Sequence, residues 1–130
     1  MQSMRERGRK SMMFYTSIFK SIFEKFMGSN SLVVLEYQLS KRCPGVNPYE
    51  LLLDNPEAFY KALIQIFGAE GSLLFLRLVF KQIVNGYEVT ELSPDELAES
   101  FARGRDEART MLLKLLERLS TSDRGCLQGS

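Results

Sequence analysis

The sequence predicts an all-α protein, a single bundle of about five helices around a buried central helix at residues 70–84. Three observations carry that expectation. Apolar residues recur at three- and four-residue spacings along most of the chain, the repeat of one helical face. Asn47-Pro48, Asn55-Pro56 and Ser93-Pro94 each join a cap residue to proline. Proline suits the first helical position because the amide it lacks has no helical partner there. Gly28 and Gly68 follow the ends of apolar stripes, where glycine commonly stops a helix.

Residues 1–10 carry Arg5, Arg7, Arg9 and Lys10 against Glu6 with no apolar period, and read as a flexible basic arm. From residue 11 to 27, Tyr15, Ile18, Phe19, Ile22, Phe23 and Phe26 share one face, opposite Ser17, Lys20, Ser21, Glu24 and Lys25. A second helix, residues 32–42, turns Leu32, Leu35 and Leu39 inward, with Val33 and Val34 widening that face. Its β-branched start would also suit a strand, but the segment is too long for a typical one. Cys43-Pro44-Gly45 then breaks the chain.

The first two Asn-Pro starts open a short helix at residues 48–53 and a longer one at 56–67, with Phe59, Leu63, Ile66 and Phe67 inward. Residues 70–84 are apolar almost all round, which marks a buried helix; Arg77 and Lys81 mark the strip that reaches solvent. From Ser93-Pro94 a long helix runs to about residue 119. Asp95 and Glu96 sit in its first turn, at the positive end of the helix dipole, and Glu99 and Arg103 form a four-apart ion pair. Leu97, Phe101, Ala108, Met111, Leu112, Leu115, Leu116 and Leu119 point inward, and Gly104 predicts a bend. Residues 120–130 read as a flexible tail, so the domain spans 11–119.

A chain of 130 residues has the usual size of one domain and needs no staple. Seventeen basic against sixteen acidic residues predict no strong whole-molecule attraction to nucleic acid or an anionic membrane. Histidine is absent, which removes the commonest general base and the commonest neutral metal ligand. The two cysteines, Cys43 and Cys126, are too few for a four-cysteine zinc site and are expected as free thiols. No secretory signal is visible at the start. The longest apolar run, residues 73–84, contains Arg77, Lys81 and Gln82 and falls short of the roughly 20 residues that span a bilayer. A soluble, cytoplasmic protein without membrane, metal or cofactor is the expectation.

Chemistry-bearing motifs give way to structural ones. Asp95, Glu96 and Glu99 are the one tight carboxylate cluster, and cap and dipole partnership accounts for them. Cys43 lacks a base to activate it. Gly68 and Gly71 precede a helix without the Lys and Ser/Thr of a phosphate loop, and read as a helix–helix corner. A helix-turn-helix over residues 56–84 would offer DNA a Leu-, Phe- and Val-rich reading helix in place of the polar side chains that read bases.

The run from Asp54 to Leu63, then Ile66-Phe67-Gly68-Ala69-Glu70-Gly71 and the apolar helix to Ile83, resembles small all-helical domains of archaeal proteins, free-standing or fused to regulators as output modules. That resemblance covers residues 47–83. It implies an archaeal source, an all-α fold and a family of undefined activity, with no catalytic residues to carry over. The Arg- and Leu-rich, Asn-poor composition fits a thermophile.

The leading functional expectation is a non-enzymatic protein–protein interaction or regulatory module, homodimeric through the excess apolar surface of its terminal helices. Met12, Met13 and Phe14 on the first helix and Leu112, Leu113 and Leu116 on the last are the candidate interface residues. The alternative is a nucleic-acid-associated protein, tied to transcription or chromatin, that neutralises phosphates with Arg5, Arg7, Arg9 and Lys10.

Overall fold

Six helices occupy the described residues of the computed structural model: backbone for residues 2–89 and 91–129, side chains for residues 13–89 and 91–120. They are α1 (Gln2–Met27), α2 (Ser29–Arg42), α3 (Pro48–Asp54), α4 (Pro56–Gly86), α5 (Pro94–Arg103) and α6 (Arg105–Gly129). Helical backbone thus begins at Gln2 and ends at Gly129, and takes in the segments that the sequence reads as arm and tail.

The three cap-proline pairs start helices as their chemistry dictates. Asn47 Oδ1 accepts from the amides of Tyr49 (2.9 Å) and Glu50 (3.3 Å) at the head of α3. Asn55 does the same for Ala58 (3.2 Å) in α4, and Ser93 for Glu96 (3.3 Å) in α5. Each bond satisfies an amide that the first helical turn leaves open.

Single glycines turn the chain between helices. Gly28 (φ 86°, ψ 156°) separates α1 from α2, and Gly104 (φ 135°, ψ 172°) separates α5 from α6. Gly68 (φ 80°, ψ 170°) divides α4 into two arms, residues 56–67 and 69–86. All three lie in a region of backbone space that essentially only glycine occupies. The bend expected at Gly104 is therefore a break, and the corner expected over residues 68–71 is one residue long. Gly71 is helical, and a Cβ there would stand 3.1 Å from the Phe67 Cβ, so its bareness gives Phe67 room.

α4 is the central helix and packs against each of the other five. Its second arm turns Phe75, Leu76, Val79, Phe80, Ile83 and Val84 into the core. Aromatic rings join the layers in two chains. Phe80 meets Phe19 of α1 at 6.4 Å, edge to face, and Phe101 of α5 at 5.7 Å, and Phe101 reaches Tyr60 at 6.4 Å. Around Phe75 gather Phe23 (5.2 Å), Phe26 (5.8 Å) and Phe67 (5.5 Å). Such pairs add about 0.5–1.5 kcal/mol each to the burial of the rings. Inside α5, the buried Ser100 hydroxyl is satisfied by the Leu97 carbonyl at 2.6 Å.

Some inward assignments are corrected: Phe26 and Phe67 pack on Phe75 but are exposed at their helix ends, and part of α2 faces the other way. Leu32, Leu35 and Leu39 are buried, but Val33 and Val34 stand on the opposite side of α2, exposed together with Tyr37. At 100° per residue, one narrow stripe facing α1, α3 and α4 cannot also hold the two valines.

Candidate partner-binding groove

The second arm of α4 has an outward strip at the same helical spacing as its core face. Arg77 and Lys81 lie on it, as the sequence places them, but Leu74 and Leu78 lie there too. Leu74 is 55 % exposed and Leu78 half-buried. Opposite this strip runs the segment that links α4 to α5, with Leu92, Ser93 and Pro94 facing it. Between the two lies a groove of about 620 Å³.

The far wall is held in place from several points. Val89 is buried, and its amide donates to the Val84 carbonyl at 2.9 Å. Leu92 closes back on the Val89 carbonyl at 3.4 Å, and Glu91 is ion-paired with Arg118 of α6. Where α5 begins, Arg77 lies 3.6 Å from Asp95 and 3.5 Å from Glu99. Its Nε is shut off from solvent without a hydrogen bond, since 3.6 Å suffices for an ion pair but is too long for that bond. Glu99 also holds Arg103 at 3.3 Å, and Arg103 reaches Glu107 at 3.8 Å across the Gly104 corner. Each pair is half-exposed and individually weak; together they fix Arg77 along the groove edge. Lys81 is exposed and meets no carboxylate among the described residues.

A smaller pocket of about 300 Å³ opens where α1, α2 and α3 meet, lined by Lys20, Ser40 and Asn47 among others. In its wall the buried Tyr49 hydroxyl donates to Glu36 Oε2 at 2.7 Å. Burial raises the Tyr49 pKa well above the ordinary tyrosine range, and the hydrogen bond to Glu36 and the charges of Glu36 and Glu24 push the same way. The arrangement keeps a neutral phenol on a carboxylate and joins α3 to α2.

The residues singled out by sequence are scattered. The side chains of Arg5, Arg7, Arg9, Lys10 and Met12 lie outside the described residues. Met13 is 68 % and Leu113 63 % exposed. Phe14 and Leu116 are half-buried against the core, where the Tyr15 hydroxyl donates to the Leu116 carbonyl at 3.2 Å. Leu112 is 1 % exposed. It shares the inward stripe of α6 with Ala108, Leu115 and Leu119, so its side chain serves the core and is withdrawn from the candidate interface. Cys43 is a half-buried free thiol, and Cys126 lies outside the described side chains.

Among the described residues no group of three or more acids and cysteines is placed to hold a metal. By length and composition α4 is the one described helix that could cross a membrane. Gly68 breaks it, however, and the inward side of its longer arm is the core of the bundle. Leu74 and Leu78 were missed as surface residues because their stretch is apolar on every side. The cue available was their register: Leu74 falls three residues before Arg77, and Leu78 three before Lys81.

Comparison with family models, with curated proteins and with solved structures returns no match.

Proposed function

We propose that this protein is a non-enzymatic interaction module whose working surface is the groove between the second arm of α4 and the start of α5. One observation carries the reading: Leu74, a large aliphatic side chain more than half exposed, lines a concave groove whose opposite wall is anchored by Val89. An apolar floor with a polar rim is the form of a site that receives the apolar face of a helix. The free Cys43 thiol is in keeping with a reducing compartment such as the cytoplasm.

Small apolar probes test it. With isobutanol and indole titrated into isotopically labelled protein, amide shifts should move at residues 74–85 and 92–95 before other surfaces respond. Leu74→Asp should remove that response and leave the fold intact. Shifts that begin elsewhere, or that survive the substitution, would count against the groove.

A second reading draws on Met13 and Leu113, each about two-thirds exposed on the terminal helices that meet at Tyr15 and Leu116. It predicts a homodimer through α1 and α6. Light scattering at micromolar concentration decides it, since a monodisperse monomer ends the idea.

A further inference from the structure

Taken as a docking site, on the reading proposed for it, the groove carries information about its occupant. Leu74 and Leu78 are four residues apart, and Lys81 continues the same strip one turn from Leu78. A partner helix that seats two apolar side chains on the leucines therefore brings its next turn to the lysine. The two cations of the groove differ in what they have left to offer. Arg77 is held by Asp95 and Glu99, whereas Lys81 is exposed and meets no carboxylate among the described residues. The groove residues one turn further along α4, Val84 and Asn85, are neutral, and the one carboxylate that lines the groove, Asp95, is paired with Arg77.

We infer that the groove takes an acidic amphipathic helix: two apolar side chains at one-turn spacing on Leu74 and Leu78, and an Asp or Glu on Lys81. Charge complementarity of this kind selects partners and orients them more than it adds affinity. An anionic lipid surface fits less well. The leucines lie in a concavity walled by Leu92 and Pro94, and one unspent cation is far from the polybasic cluster that holds a protein on such a surface.

A displayed library of helical peptides tests the inference, with leucine fixed at two positions four apart and the remaining positions drawn from Glu, Lys, Ala and Ser. It is selected on the full chain, on Lys81→Glu and on Leu74→Asp. Wild type should enrich Glu over Lys, at least several-fold, at a position one turn from the leucine pair. Lys81→Glu should reverse that preference, Lys81→Gln should erase it, and Leu74→Asp should retain no binders. Binders that carry no charge preference, or that are the same on wild type and Lys81→Glu, overturn the acidic-helix inference and leave the groove standing. Failure to select any binder that Leu74→Asp blocks overturns both. In parallel, flotation with vesicles of three parts phosphatidylcholine to one part phosphatidylserine should leave the protein unbound; retention that is lost in Lys81→Glu makes the occupant a lipid surface and refutes the helix.

Discussion

Gly68→Ala isolates the energy of a single backbone geometry. Gly68 holds φ 80° and ψ 170°, and a Cβ at this position would find no heavy atom within 4 Å. Crowding therefore contributes nothing, and the whole cost is the strain of an L side chain in a region reserved for glycine, about 1–3 kcal/mol. The chain cannot escape by straightening. A continuous helix of the 31 residues of α4 would be about 46 Å long, and would pull either Phe59 and Leu63 or Phe75 and Phe80 out of the core. With about 2 kcal/mol lost and a urea dependence of about 2 kcal/mol per molar, the unfolding midpoint should fall by about 1 M. Gly86→Ala is the control. Gly86 is helical and equally open, so alanine there should be neutral or stabilise by up to about 1 kcal/mol. Urea titration followed by circular dichroism at 222 nm reads both. A Gly68→Ala midpoint at or above wild type would refute the reasoning, because alanine would then be at ease in the corner.

Three further outcomes are expected. Phe80→Ala removes a ring in contact with Phe19 and Phe101 and should cost about 3–5 kcal/mol in urea unfolding; a loss below about 1 kcal/mol would displace Phe80 from the centre of the core. Ser72 is fully buried and its hydroxyl has no hydrogen-bond partner among the described residues. Ser72→Ala should therefore stabilise by roughly 1 kcal/mol, and a destabilised variant would show that the hydroxyl is satisfied. Tyr49 holds its proton in the folded state at pH values where the unfolded phenol, with a pKa of about 10, releases it. The folded state then binds more protons, so stability falls as pH rises past about 10. Midpoints measured between about pH 9 and 11 should fall less steeply in Tyr49→Phe than in wild type, and parallel curves would contradict the burial of the phenol.

Helix starts were legible because their energetics are local. Asn47, Asn55 and Ser93 bond to amides two or three residues ahead, so neighbouring residues suffice to place them. The Glu99–Arg103 pair is of the same kind. Which side of α2 carries Val33 and Val34 depends on what lies against Leu32, Leu35 and Leu39, and residues distant in sequence supply that. The groove was still less legible, since its wall exists only because Val89 docks into the core and carries Leu92 opposite Leu74. Likewise Leu112 reads equally well as core or surface until Ala108, Leu115 and Leu119 show which way α6 is turned.

The one-residue corners act as phase setters. Ordinary loops absorb an inserted residue with little consequence, but Gly68 has no slack to take one up. An extra residue beside it would rotate the arm that follows by about 100° about its own axis. Phe75 and Phe80 would swing away from Phe23, Phe19 and Phe101, and the Leu74 strip would turn out of line with Leu92. Core and groove are opposite sides of one helix, so a single angle at Gly68 sets both, and neither can drift in evolution without the other.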